Sequence, residues 1–180
     1  MKQLLILLTF VAGVSYSSFA QKVVFNQDFE SSEKGQNVKT LQKNKFTTWE
    51  KVSFTVSEEK GKGNNKSNKF ASSDGTESAS LVIYKNLEVG ATYVFSVAVK
   101  MTNVNGKTAT ANYVINATAG KKGDMHRYGQ EKVVEPKANK WKEHQIEFTV
   151  VEGREKVALS VYRWAKDVTL NIDDFKLVKK

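Results

Sequence analysis

The segment from Val157 to Trp164 carries the strongest chemical signal in the chain. Val157, Leu159 and Val161 form an alternating apolar set, so Ala158, Ser160, Tyr162 and Trp164 fall on the opposite face of a strand. Arg163 and Lys166 lie nearby at the strand end. Outward-facing rings stack on the apolar faces of sugars, and a guanidinium or ammonium adds hydrogen bonds to hydroxyl or acidic groups. The alternative is that Trp164 merely folds over a sheet edge. Met125-His126-Arg127-Tyr128 lies between Gly123 and Gly129 and predicts a second platform on a loop, the alternative being simple exposure. Tyr93 and Phe95 sit on the apolar face of their strand and are expected in the core.

Other chemistries find little footing. There are no cysteines, which excludes thiol catalysis and thiolate metal sites. His126 and His144 are not at a metalloprotease spacing, and no Gly-x-Ser-x-Gly turn occurs. Gly61 to Ser67 (GKGNNKS) has a Lys-Ser like a phosphate loop, without the glycine before the lysine or a helix after it. A glycosidase needs two carboxyl groups across a cleft, and no pair stands out among acids that mostly alternate with lysines. A small lyase using His126, Arg127 and Tyr128 stays open as a rival reading.

Lys2 followed by the apolar run Leu4 to Val14, then Ser18-Phe19-Ala20, reads as a cleaved export signal with Gln21 as the new N-terminus. The run is shorter than the roughly 20 apolar residues a membrane span needs. A soluble product at the cell surface, in the periplasm or secreted is expected, with no membrane span. The chain has 28 basic and 19 acidic residues, net +9, and removing Lys2 leaves +8. That balance favours anionic partners, acidic polysaccharide among them, while export disfavours nucleic acid.

Residues 21–180 suffice for one domain with its own core. Val23 to Phe25, Val52-Phe54-Val56, Tyr93 to Val99, Ile146-Phe148-Val150, Val157 to Val161 and Leu170 to Leu177 read as strands with one face buried. Asp74-Gly75, Val89-Gly90, Lys122-Gly123-Asp124 and Glu152-Gly153 mark turns, and Asn105-Gly106 predicts a hairpin. Ser57 to Asn68 reads as a long exposed loop. The fold class is all-β, an antiparallel sandwich of jelly-roll or immunoglobulin type.

Four ordered segments narrow this further: Asn26-Gln27-Asp28-Phe29-Glu30 with Trp49, Ser67 to Ala71 (SNKFA), Leu87 to Lys100 (LEVGATYVFSVAVK), and Trp141 to Val150 (WKEHQIEFTV) leading to Leu170 to Leu177 (LNIDDFKL). Together they resemble the jelly-roll carbohydrate-binding modules of the cellulose- and xylan-binding group, which includes families 4, 9 and 22. The resemblance implies a galactose-binding-domain-like jelly roll and a structural calcium ion joining the first and last strands. Matched by position, Glu30 gives a carboxylate, Asp28 and Lys69 give carbonyls, and Asp173 closes the set, with Asp174 as substitute. It also implies that Trp49 and Trp141 pack rather than bind. The expected protein is an exported, monomeric, non-catalytic binder of poly- or oligosaccharide. A cell-envelope adhesion sandwich is the first rival, and a small polysaccharide lyase or hydrolase the second.

Overall fold

The computed structural model describes residues 21–41, 45–48, 52–60, 67–75, 77–103, 111–121, 123–135, 139–164 and 168–180. Among the described residues eleven strands carry the fold: β1 (Lys22–Gln27), β2 (Thr47–Thr48), β3 (Phe54–Lys60), β4 (Ser67–Ser73), β5 (Ala79–Asn86), β6 (Thr92–Asn103), β7 (Ala111–Lys121), β8 (Asp124–Glu135), β9 (Lys142–Thr149), β10 (Lys156–Arg163) and β11 (Val168–Lys179). They pair antiparallel into two sheets. One runs β3-β4-β11-β6-β9 with β1 also on β11, and the other runs β2-β5-β10-β7-β8. They are called here the six-stranded and five-stranded sheets. The only helical turn among the described residues is the three-residue Val38–Thr40, and no helix there is long and apolar enough to cross a membrane.

Alternation explains the layering. Along β9, His144, Ile146 and Phe148 are buried while their neighbours are exposed. Along β10, Val157, Leu159 and Val161 turn inward. Tyr93 and Phe95 lie in the same core, as the sequence predicts. Leu170, Ile172, Phe175 and Leu177 of β11 meet them, and Phe25, Phe46 and Phe175 close one end edge-to-face at 5.6–5.9 Å. Each large side chain so buried stabilises the fold by about 1.5–3 kcal/mol before entropy. Gly129 marks how tightly the sheets approach: a Cβ there would lie 2.3 Å from Ile146 Cγ2.

Two local expectations are corrected. Ser57 to Asn68 is not one loop, because Ser57–Lys60 and Ser67–Asn68 pair across β3 and β4, with Lys60 opposite Ser67; Asn64 and Asn65 lie outside the described residues. Asn105-Gly106 also lies outside them, but β6 and β7 on either side belong to different sheets and form no hairpin. The apolar alternation of β6 is matched instead by β9 and β11. The hairpin that does form joins β7 to β8, with Lys121 opposite Asp124 and Gly123 at φ +94°.

β11 has an unusual edge. Its residues 171–172 pair with β4 and its residues 175–179 pair with β1, and between them its register slips at Asp173 to Lys176.

Candidate functional site

The outer face of the five-stranded sheet is built by register. Ladder partners share a face, so Ala158, Ser160 and Tyr162 of β10 stand beside Tyr84, Val82 and Ser80 of β5. On the other side they stand beside Thr118, Asn116 and Val114 of β7. Gln130 and Lys132 of β8 continue the rows from Asn116 and Val114, and Arg127 stands opposite Thr118. The strand rise of about 3.3 Å per residue makes the face about 20 Å long from Ala158 to Trp164, oligosaccharide rather than monosaccharide in scale.

Polar atoms pave its floor. Ser80, Asn116, Thr118 and Ser160 are all buried although no second layer of strands among the described residues covers them. Asn116 is only 9 % exposed, and among the described residues its Oδ1 has no hydrogen-bond partner. A buried acceptor without a partner costs free energy, and a ligand hydroxyl that displaced the side chains over it would satisfy it.

At one end of this floor Trp164 is 65 % exposed, with its ring edge-on to Tyr162 at 5.6 Å. Ser78 Oγ donates to the Trp164 carbonyl at 2.8 Å, and Gln130 Nε2 donates to Tyr162 Oη at 3.3 Å, so both strand and ring are positioned. At the other end Tyr84 is 51 % exposed and borders a pocket of about 300 Å³ that also reaches Thr118, Lys121, Lys156 and Ala158.

Of the residues expected from sequence, Tyr162 and Trp164 reach this face together. Arg163 does not. It is 0 % exposed, because the alternation that turns Val157, Leu159 and Val161 inward carries residue 163 with them. Lys166 lies outside the described residues. Met125 to Tyr128 is not a loop but the start of β8. At the β8 bulge Tyr128 turns inward against Phe148 at 5.1 Å; its hydroxyl donates to the Arg154 carbonyl and accepts from the Val151 N–H. His126 packs edge-on to Tyr128 at 4.5 Å, so of His126, Arg127 and Tyr128 it is Arg127 that joins the outer face. Asn116 and Tyr84 were missed by sequence reasoning, since only their register with β10 places them there.

The carboxylates implied by the resemblance meet at the seam where β11 changes partner. Glu30 Oε1 accepts from the Lys69 N–H at 3.0 Å, tying the end of β1 to β4. Burial, then the charges of Asp174, Glu30 and Asp28, push the Asp173 carboxyl up to about 7. Asp174 is raised as well, by burial and then by Asp28, Glu143 and Glu30. Phe29 and Asp174 hold left-handed backbone, φ +57° and +47°, which L residues rarely adopt. Carboxylate and carbonyl oxygen suit a hard cation. Lys69 Nζ itself donates to the Glu30 and Ser32 carbonyls, and no three acidic or imidazole side chains among the described residues are drawn into a ready cage.

Trp141 packs, as the resemblance implies, but outside the core between the sheets. It packs on the outer face of the six-stranded sheet, edge-on to Phe70 at 5.3 Å, with Lys100 Nζ 4.8 Å from its ring centroid. Trp49 lies outside the described residues.

Comparison with known proteins bears on this geometry. Residues 21–168 match the family described as carbohydrate binding domain. Among solved structures, the fold is similar to the CBM22-1 xylan-binding domain of Paenibacillus barcinonensis Xyn10C, with TM-score 0.62 and 15% identity over 89% of this chain and 96% of that one. It is similar to the CBM22-1 and GH10 modules of Clostridium thermocellum xylanase 10B solved with xylohexaose, with TM-score 0.60 and 18% identity over 88% of this chain and 28% of that one. A third, described by its CBM4 structure and function, gives TM-score 0.57 and 15% identity over 86% of this chain and 99% of that one. No curated protein matches the sequence.

Proposed function

The chain belongs to the carbohydrate binding domain family, and on that footing we propose that it is an exported, non-catalytic binder of oligo- or polysaccharide. The sugar chain lies on the outer face of the five-stranded sheet, stacking on Trp164 and Tyr162 and hydrogen-bonding the floor between them and Tyr84. The observation that carries this reading is the pairing of an exposed aromatic end with the open acceptor of Asn116 in one buried polar floor. Two structural relatives, one a xylan-binding domain and one solved with xylohexaose, support a chain-like glycan as the ligand class.

Non-catalytic action is supported by the fate of the one cluster that suggested a lyase. Tyr128 is engaged by two backbone groups, and His126 packs against its ring. A calcium ion completes the proposal, held at the β11 seam by the Glu30 and Asp173 carboxylates and the Asp28 and Lys69 carbonyls, with Asp174 as the alternative carboxylate. Cleavage after Ala20 would release the domain from the cell interior.

The test is affinity electrophoresis of residues 21–180 through gels containing xylan, β-glucan and acidic polysaccharides, with product analysis alongside. Retardation by at least one glycan without chain shortening is expected. Free migration through every gel would favour the adhesion reading, and shortened products would restore the lyase.

A further inference from the structure

The two ends of the binding face differ in charge, which refines the glycan-binding reading on which this inference rests. The Tyr162 and Trp164 end is aromatic, with Lys132 as the cation in the Tyr162 row. At the other end, Tyr84 presents half its surface, and Lys156 Nζ sits 5.7 Å from its ring centroid. Lys121 lines the same pocket, and Arg127 stands opposite Thr118 on its floor.

The acidic groups nearby are already committed. Asp124 is gripped by Arg154, with Nη1 to Oδ2 at 2.9 Å and Nη2 to Oδ1 at 2.6 Å, and the guanidinium holds that carboxyl below its usual range. Gly120 makes the grip possible: a Cβ there would lie 2.2 Å from the Asp124 carbonyl oxygen and 2.8 Å from Arg154 Nη1, and its φ is +97°. Glu155 accepts from the Gly153 N–H at 2.9 Å. Lys121, Arg127 and Lys156 enter none of the ion pairs found among the described residues. Lys121 and Lys156 therefore line one pocket with the Glu155 carboxylate held by a backbone N–H, Arg127 stands nearby on the same face, and an exposed ring waits beside them.

We propose that this pocket takes a uronate residue of an acidic polysaccharide, its ring face on Tyr84 and its carboxylate between Lys156 and Lys121. An ammonium pair reads a carboxylate as a charge and tolerates variation in sugar stereochemistry. The next sugars of the same chain then run over Asn116 toward Trp164.

The test is titration of residues 21–180 with polygalacturonate and alginate, with their carboxyl-reduced forms, and with xylan. At least one uronate chain is expected to bind more tightly than its reduced form, with the advantage shrinking as salt is added. A double variant, Lys121→Gln with Lys156→Gln, should lose about tenfold or more on that chain, the scale of a charge-assisted hydrogen bond. Its melting temperature and its affinity for the reduced form should hold, since both lysines are exposed. Equal binding of charged and reduced chains, or full affinity in the double variant, overturns the uronate site while leaving glycan binding intact. Failure to bind any polysaccharide in the set overturns both.

Discussion

The outer faces of the two sheets use the same residue types to opposite ends. On the six-stranded sheet Lys100, only 6 % exposed, lies between the rings of Phe70 and Trp141 at 5.1 and 4.8 Å. Glu59 pairs with its ammonium and also accepts from Trp141 Nε1. Ring, cation and carboxylate there satisfy one another. On the five-stranded sheet an aromatic is exposed at each end, the cations around Tyr84 are unneutralised by ion pairs among the described residues, and Asn116 keeps an open acceptor. An aromatic beside a cation is thus no signature of binding by itself. What separates the faces is whether the partner is already inside the protein.

The largest expected effect comes from breaking the self-satisfied face. Glu59→Ala leaves Lys100 nearly buried without its carboxylate and Trp141 Nε1 without its acceptor. A loss of about 2–3 kcal/mol in denaturant unfolding is expected, the part-exposed carboxylate keeping it below the full cost of a buried charge. Glycan affinity should be unchanged, because the damage lies on the other side of the sandwich. A variant that unfolds normally but loses glycan would place the binding face on the wrong sheet.

At the seam of β11 acidic groups gather, and a cation would complete it. With the Asp173 carboxyl at about 7 in the fold against 3.8 for the free group, the folded state holds its proton more tightly. Its contribution to stability is therefore complete below about pH 4 and is lost as pH rises through 7. A bound calcium ion would replace that proton, so calcium should raise the melting temperature more at pH 8 than at pH 5. A hundredfold excess over Kd would add about 2.7 kcal/mol. Melting curves with and without chelator across this range check it, and curves flat to both pH and chelator would show the acids to be ordinary solvated charges.

These contrasts mark what the sequence made legible. Strands such as β9 and β10 were readable because each buries one face, which prints a period of two. The same period, carried one step further, places Arg163 inside with Val161, so its expected surface role failed for a reason the sequence contained. Asn116 and Tyr84 were hidden because their neighbours on the face are distant in sequence: Ser160 follows Asn116 by 44 positions, and only the ladder aligns them. Trp141 carries no pattern that tells the inner from the outer face at a strand end. The acids of the seam became visible through family resemblance, since Asp28 and Asp173 lie at opposite ends of the chain.

Trp164→Ala sharpens the comparison from the open side. The ring is two-thirds exposed, so its removal should change stability by no more than about 0.5 kcal/mol, against the 3–5 kcal/mol expected of a core tryptophan. Affinity for the glycan that the parent binds should fall about tenfold, or 1.4 kcal/mol. Thermal melting and isothermal titration on one preparation separate the outcomes. Early melting, or full retained affinity, would remove Trp164 from the binding face.

The smallest effect is the most discriminating. Asn116 is buried on the floor with an acceptor that finds no partner among the described residues, so the free protein already bears the cost of desolvating it. Asn116→Ala removes that cost along with some packing and should leave stability within about 0.5 kcal/mol of the parent. The bound state differs, because a sugar hydroxyl donating to Oδ1 forms a hydrogen bond with a net worth of about 0.5–1.5 kcal/mol. A loss of affinity of about two- to tenfold is therefore expected without destabilisation. Glu59→Ala gives the mirror image, stability lost and affinity kept. If Asn116→Ala instead melts early and binds normally, the amide is structural, and the two outer faces differ less than their exposed rings imply.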